Sequence, residues 1–258
     1  MQGSSVRFRI RLLLACLCFV CAARAAAAED SFAGTYALSG MGADGAAYGG
    51  TVSIARQDFA YQVAWQFDGR GARNGFALTL NHVLGVAFWR EGVTPEPETG
   101  IVIYRIDGGT LDGIWLPSRA TGIAPGREVL SGSPDLNGRY QISLGVNPGG
   151  RSHYTGYADF ERSGDHVRIV WHAPRQVFLG SGVRMGSMLV VAYAYENFPA
   201  VAAFCSNGHD LRGLWWGGPQ GASGRETLTP ATPDAAQLPG ASSANPRDPC
   251  STPIAANF

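Results

Sequence analysis

The chain carries one sequence pattern twice, and this internal repeat limits its fold more than any other feature. The clearest pair is residues 107–115 (DGGTLDGIW) and 207–215 (NGHDLRGLW), in which a turn signal precedes Leu, Gly and Trp at the same places. Five more blocks match in the same order: 34–38 with 138–142, 48–50 with 154–156, 61–65 with 167–171, 84–88 with 189–193, and 126–130 with 224–228. Copies of about 95 residues are too long for the stacked repeats of a solenoid, which span roughly 20–50 residues. We therefore predict two domains, residues 32–131 and 137–230, joined by a short turn-like linker.

Apolar residues in each copy recur with a period of two, which predicts β-strands. Tyr36 and Leu38 fall on one face of a strand, and Val63 and Trp65 on one face of another. The pairs Asp-Gly at 107–108 and Asn-Gly at 207–208 lie between apolar runs and are typical of tight hairpin turns. After the first 28 residues, no stretch combines helical spacing with capping residues. The sequence therefore predicts an all-β fold of two tandem small antiparallel meander β-barrels with about eight strands each. Two sandwich-like half-barrels are the alternative.

The two copies share a set of aromatic, glycine and glutamate residues that we interpret as structural. The set is Tyr36, Trp65, Gly113, Trp115 and Glu128 in the first copy, and Tyr140, Trp171, Gly213, Trp215 and Glu226 in the second. Trp115 and Trp215 have two possible roles, as walls of a ligand pocket or as core residues. Core filling is the favoured interpretation, because an eight-stranded barrel is just wide enough for side chains to fill.

Each repeated glutamate follows an arginine on the last strand of its copy. Adjacent strand residues face opposite sides, so one member of each pair, Arg127 with Glu128 and Arg225 with Glu226, points inward. A buried carboxylate needs partners. We therefore expect the glutamate to tie the last strand to nearby backbone or tryptophan N–H groups.

Both ends of the chain differ from the repeats. Residues 1–28 are typical of a signal peptide, since a basic start precedes an apolar stretch and small residues. That stretch is shorter than the roughly 20 residues of a membrane span. We expect cleavage after Ala28, with Ala25 as the alternative, and an exported bacterial protein, periplasmic or secreted. Residues 231–258 are rich in Pro, Ala and Ser and are expected to be disordered.

Cysteine and charge content restrict the compartment and the partners. Removal of the leader leaves Cys205 and Cys250, for which a disulfide and two free thiols are the open alternatives in an oxidising compartment. All 20 basic residues are Arg, and they form no basic cluster. This argues against nucleic acid as a partner, because such binding needs concentrated positive charge.

Signatures of catalysis and of metal binding are missing from the sequence. The five histidines show no metal-ligand spacing, and neither a nucleophile elbow nor a phosphate-binding loop occurs. We expect no enzyme activity, metal or cofactor. The favoured function is an exported, non-enzymatic binding or envelope-associated protein, whose partner is an unknown protein or a small apolar ligand. The alternatives are a carrier of a small apolar ligand, or an enzyme or enzyme inhibitor acting through loops such as 94–98.

The order of the repeated blocks resembles that of small secreted bacterial proteins commonly labelled "fibronectin-binding protein". The pattern is G-x-Y, Y-x-G, a strand ending in Trp, D/N-G-x-x-L-x-G-x-W and G-x-E-x-L, and the second copy matches it better, at 147–150, 154–156, 207–215 and 224–230. The resemblance covers both repeats but not the tail. It implies a structural pattern and no catalytic residues.

A second resemblance, in topology, is to the calycin barrels (lipocalins, fatty-acid-binding proteins and avidins). Those barrels begin with G-x-W, and a basic residue of a late strand packs over that Trp. Here residues 34–36 and 138–140 begin the copies with Tyr in place of Trp, and Arg127 and Arg225 lie on the last strand. This resemblance implies an up-and-down barrel that holds a small apolar ligand.

Overall fold

The structure is a computed structural model that describes residues 32–69, 71–96, 98–120, 122–232 and Leu238. These residues form strands and no helix, so the described part contains none that is long and apolar enough to cross a membrane. The strands are β1 (Gly34–Gly42), β2 (Ala47–Gln57), β3 (Ala60–Phe67), β4 (Gly71–Leu80), β5 (Val83–Arg90), β6 (Gly100–Asp107), β7 (Thr110–Pro117), β8 (Gly126–Ser131), β9 (Gly138–Val146), β10 (Tyr157–Ser163), β11 (His166–Ala173), β12 (Gln176–Met185), β13 (Met188–Ala194), β14 (Ala200–Ser206), β15 (Leu211–Trp216) and β16 (Ser223–Pro230).

The strands close two antiparallel barrels of eight strands each, which confirms the predicted fold class. One barrel runs β1-β2-β3-β4-β5-β14-β15-β16 and returns to β1; we call it the split barrel. The other runs from β6 to β13 and returns to β6; we call it the inserted barrel, because its continuous chain separates the two parts of the split barrel. This corrects the expectation that residues 32–131 form one barrel and residues 137–230 the other.

The barrels differ from this expectation because the two copies exchange their last three strands. Strands β6 to β8 belong to the barrel that contains β9 to β13, and β14 to β16 belong to the barrel that contains β1 to β5. Strand β5 pairs with β14 through Val86 and Ala202, and β13 pairs with β6 through Val191 and Val102. Val86 and Val191 hold the same position in the repeat, as do Val102 and Ala202. Each exchanged strand therefore pairs with a strand whose residue pattern is equivalent to that of the neighbouring strand in its own copy. The arrangement is a domain swap within one chain.

The two barrels pack side by side through the outer faces of β4, β5 and β14 on one side and β6, β12 and β13 on the other. Gly85 sits at the closest approach: a Cβ atom there would lie 2.6 Å from Val190 and 3.0 Å from Ile103 of the inserted barrel. The shared apolar cluster includes Leu78, Ala87, Ile101, Ile103, Val190, Ala192, Val201 and Ala203, all fully buried. The contact explains why β6 and β13 are apolar on both faces: one face lines their own barrel and the other packs against the split barrel.

The interior of each barrel is a separate apolar cluster. The repeated tyrosines close one part of it: Tyr36 and Tyr140 are almost fully buried. The Tyr36 hydroxyl donates to the carbonyl of Phe32 (2.7 Å), and the Tyr140 hydroxyl donates to the carbonyl of Ser133. The two residues therefore anchor the segments that precede β1 and β9.

Candidate functional site: a cavity with a buried carboxylate

Glu128 is the polar centre of the inserted barrel. It points inward from β8 and is 4% exposed, whereas its neighbour Arg127 points outward and pairs with Asp112 through two contacts of 3.0 Å. The carboxylate accepts hydrogen bonds from the Tyr154 hydroxyl (2.9 Å) and from Trp171 Nε1 (3.1 Å). The Tyr104 hydroxyl donates a third. The glutamate therefore ties the last strand of one copy to a tryptophan of the other.

Gly113 makes room for this network. Its position lies between Tyr104 on β6 and Glu128 on β8 in the strand register. A Cβ atom at Gly113 would lie 2.4 Å from Cδ1 of Tyr104. The missing side chain thus lets the Tyr104 ring lie across β7 and reach the carboxylate, which accounts for the repeat of this glycine at Gly213, where Phe204 makes the same approach.

The network lies in a low-dielectric environment. Burial raises the pKa of the Glu128 carboxyl, and the three donated hydrogen bonds oppose this shift only in part. Burial and then the charge of Glu128 raise the pKa of the Tyr104 and Tyr154 hydroxyls. For Tyr193, burial is again the first cause, followed by the charges of Glu98 and Glu128. The tyrosines therefore stay neutral across the physiological pH range, and Tyr104 and Tyr154 remain hydrogen-bond donors.

A cavity of about 470 Å³ opens above Glu128 inside the inserted barrel. Seven of its 17 lining residues are aromatic: Tyr104, Trp115, Tyr154, Trp171, Phe178, Tyr193 and Tyr195. The exposed residues Pro174, Arg175 and Gln176, from the turn between β11 and β12, line its outer part. Glu98 and Tyr195 come from the two segments that connect the barrels, so the strand exchange supplies part of the rim.

Tyr193 is the aromatic centre of this wall. Its ring makes edge contacts with Trp115, Trp171 and Phe178 at centroid distances of 6.2, 6.3 and 5.8 Å. Its hydroxyl is buried against Gly100 and finds no hydrogen-bond partner among the described residues. The ring therefore contributes shape to the cavity, while the hydroxyl is a cost to folding.

The split barrel repeats the carboxylate frame with a smaller cavity. Glu226 is 7% exposed and accepts hydrogen bonds from the Tyr48 hydroxyl (2.9 Å) and Trp65 Nε1 (3.3 Å). Trp215 Nε1 donates to the Tyr48 hydroxyl (2.6 Å). Burial raises the pKa of Glu226 to about 7. The cavity beside this carboxylate has about 190 Å³.

Two corresponding positions of the cavity walls differ between the barrels. Phe67 lines the cavity of the split barrel, and Ala173 holds its place in the inserted barrel. Arg73 lines the cavity of the split barrel, and Phe178 holds its place in the other. Phe67 packs edge-on against Tyr48, and the Arg73 guanidinium lies 5.8 Å from the centroid of the Phe67 ring. Phe67 thus occupies space that Ala173 leaves open in the inserted barrel, whereas Arg73 and Phe178 are side chains of similar size that differ in charge.

The structure brings most of the repeated residues together around the two carboxylates. Trp115, Trp171 and Glu128 line one cavity, and Trp65, Trp215 and Glu226 line the other. The tryptophans are thus cavity walls as well as core residues. Tyr36 and Tyr140 do not line either cavity. The hydroxyl donors Tyr48 and Tyr154 belong to a matched block but were not singled out, and Tyr104 carried no repeat signal because Phe204 replaces it.

Other predicted sites have different outcomes. Cys205 is disulfide-bonded, whereas Cys250 lies outside the described residues, so the pairing of these two cysteines stays a prediction. The predicted signal peptide, residues 1–28, and nearly all of the predicted disordered tail, residues 231–258, also lie outside them. Within the part of the chain that the structure describes, no group of three or more His, Cys, Asp or Glu residues could hold a metal ion.

Fold and site together define a double eight-stranded antiparallel barrel with one roomy, aromatic interior. Comparison of the chain with protein-family models, with curated proteins and with solved structures found no match. The resemblances to proteins labelled "fibronectin-binding protein" and to the calycins therefore stay expectations. The functional argument rests on the geometry of the cavity.

Proposed function

We propose that this protein is an exported, non-enzymatic carrier that holds a small, largely apolar molecule inside the inserted barrel. The observation that supports the proposal is the aromatic cavity of about 470 Å³ above Glu128. Among the functions considered from the sequence, this favours the small-ligand carrier over an envelope-associated protein that binds through its surface.

Size and chemistry of the cavity both support a ligand. Small-molecule sites have volumes of roughly 300–1,000 Å³ and combine apolar walls with a few polar groups. The inserted barrel meets this description, since aromatic and aliphatic side chains line its cavity together with a few polar groups, among them Glu128 and its hydroxyl donors. Eight-stranded barrels either fill their interior with side chains or hold one small ligand. The split barrel is close to the first case and the inserted barrel to the second.

The test is a titration with N-phenyl-1-naphthylamine, a neutral aromatic probe that fluoresces in apolar surroundings. We expect saturable binding of one probe per chain. Ala173→Phe places in the inserted barrel the side chain that narrows the split barrel, so it should abolish probe binding. Phe67→Leu is the matched control, because it changes the corresponding position of the split barrel and leaves the proposed site intact.

Two results would contradict the proposal. One is the absence of saturable probe binding to the unmodified protein. The other is equal binding by the unmodified protein and Ala173→Phe when circular dichroism shows that the variant is folded, because the probe would then bind elsewhere.

A further inference from the structure

The charges of the cavity point to the chemical class of its ligand. Glu128 lies at the inner end and Glu98 at the rim, and both raise the pKa of Tyr193, so both carboxylates act on the cavity wall. Arg175, the positive side chain among the lining residues, is exposed at the outer end. The inner part of the cavity is therefore acidic.

The Glu128 carboxylate has hydrogen bonds but no counter-ion. Its three donors, Tyr104, Tyr154 and Trp171, are neutral groups. No salt bridge to Glu128 occurs within the described residues. A buried carboxylate is costly unless a positive group compensates it. A ligand with a positive charge beside Glu128 would supply the counter-ion that the protein does not provide.

Aromatic rings surround the same place. Trp115, Trp171, Tyr154 and Tyr193 line the cavity together with Glu128. The faces of such rings attract cations within about 6 Å of the ring centroid, most strongly where water is excluded. The carboxylate and the aromatic rings therefore both favour a positively charged group on the ligand.

The split barrel offers an internal comparison. Its cavity has the same elements, Glu226 with Trp65, Trp215 and Tyr48, and its wall also includes the guanidinium of Arg73. The inserted barrel has Phe178 at that position and no positive side chain in the inner part of the cavity. The cavity wall of the split barrel thus carries a positive side chain, and the inner part of the other cavity has none among the described residues.

We infer that the ligand of the inserted barrel is an organic cation: an ammonium group, protonated or quaternary, on a small apolar body. The ammonium lies against Glu128 between the aromatic rings, and the apolar body extends toward the turn between β11 and β12. This inference rests on the proposed carrier function and adds the charge of the ligand to it.

The test compares three probes of similar size by equilibrium dialysis against the full chain at pH 8. The probes are benzyltrimethylammonium, its neutral carbon isostere neopentylbenzene, and the anion phenylacetate. We expect the cation to bind at least about tenfold more tightly than the isostere, and the anion more weakly than both. Because this comparison uses the unmodified protein, it does not depend on the folding of a variant.

Three variants locate the charge effect. Glu128→Gln keeps an acceptor for the donors but removes the charge, so cation binding should fall at least about tenfold while isostere binding changes by less than about threefold. Glu226→Gln, the same change in the split barrel, should leave both unchanged. Glu98→Gln measures how much the carboxylate at the rim contributes to cation binding.

Cation binding should also weaken as the pH falls, because protonation of Glu128 removes its charge. The other titratable groups of the wall are Glu98, whose share the Glu98→Gln variant reports, and tyrosines whose raised pKa keeps them neutral. Isostere binding should not change over the same pH range.

The possible results distinguish the inference about the charge of the ligand from the proposed carrier function. Isostere or anion binding as tight as cation binding overturns the inference and leaves the carrier function standing. Binding of the naphthylamine probe without binding of the cation does the same. Failure of every probe to bind overturns both.

Discussion

The split and inserted barrels share a buried frame and differ in what surrounds it. Each has an inward glutamate on its last repeated strand, held by a tyrosine hydroxyl and a tryptophan N–H. Phe67 narrows the cavity of the split barrel, where Ala173 leaves the other one open, and Arg73 gives the split-barrel wall a charge where the other has Phe178. The comparison teaches that the repeated residues specify the barrel, and that unrepeated positions at the strand ends specify whether it is hollow.

The barrels also differ in how firmly the carboxylate is held. Glu128 accepts hydrogen bonds from three donors, whereas Glu226 accepts from two among the described residues, because Phe204 stands where Tyr104 supplies a hydroxyl. The larger cavity is therefore combined with the more completely bonded carboxylate. This fits a site in which the carboxylate must stay oriented while the space beside it fills and empties.

The largest predicted effect is the loss of stability when the carboxylate is removed. In Glu128→Leu, Tyr104, Tyr154 and Trp171 keep buried donors without an acceptor, and each such group costs about 1–3 kcal/mol. We expect the free energy of unfolding in urea to fall by on the order of 4 kcal/mol. Glu226→Leu leaves two donors without an acceptor, so its free energy of unfolding should fall by less. A loss below about 1 kcal/mol in either variant would show that the frame does not hold its barrel together.

A second effect is a dependence of stability on pH. Burial raises the pKa of Glu226 from 4.5 to about 7, so the folded state binds the proton more tightly than the unfolded state. The stabilisation is complete below pH 4.5 and is lost as the pH rises to about 7, by about 3 kcal/mol at roughly 1.4 kcal/mol per unit. Glu226→Gln should remove this share of the slope from urea unfolding curves measured across the interval, and the raised pKa of Glu128 should leave a slope of the same sign. An unchanged slope would place the titration elsewhere.

The smallest predicted effect concerns a position in the cavity wall that is Tyr in one barrel and Phe in the other. Tyr193 in the inserted barrel corresponds to Phe88 in the split barrel, and the Tyr193 hydroxyl has no partner among the described residues. Tyr193→Phe should therefore leave the melting temperature unchanged or raise it, with a gain in stability below about 1 kcal/mol. Phe88→Tyr adds a buried hydroxyl to the split barrel and should be destabilising. A clear loss of stability in Tyr193→Phe would mean that this hydroxyl is bonded after all.

The sequence predicted the two eight-stranded barrels because alternation, turn signals and the repeat all favour the same fold. It did not predict the strand exchange. Val102 and Ala202 occupy the same repeat position, so the hydrogen-bond ladder and the apolar pattern are satisfied whichever copy supplies the strand. The connecting segments, 91–99 and 195–199, carry no periodic sequence pattern from which the choice between the two arrangements could be predicted.

The candidate site was predictable in part. The inward glutamate and its tryptophan donor followed from alternation on a strand and from the cost of a buried charge. The hollow interior did not, because it depends on Ala173, one small residue at a strand end whose partner in the other copy is Phe67. Volume is a property of packing in three dimensions, and a match between copies cannot show which copy leaves space.

The most direct test is therefore the number of naphthylamine probes bound per chain when the cavity-defining residues are exchanged. By isothermal titration calorimetry we expect one site in the unmodified protein, none in Ala173→Phe with Phe178→Arg, and two in Phe67→Ala with Arg73→Phe. Folded variants that all bind one probe, as the unmodified protein does, would contradict the assignment of the ligand to the inserted barrel.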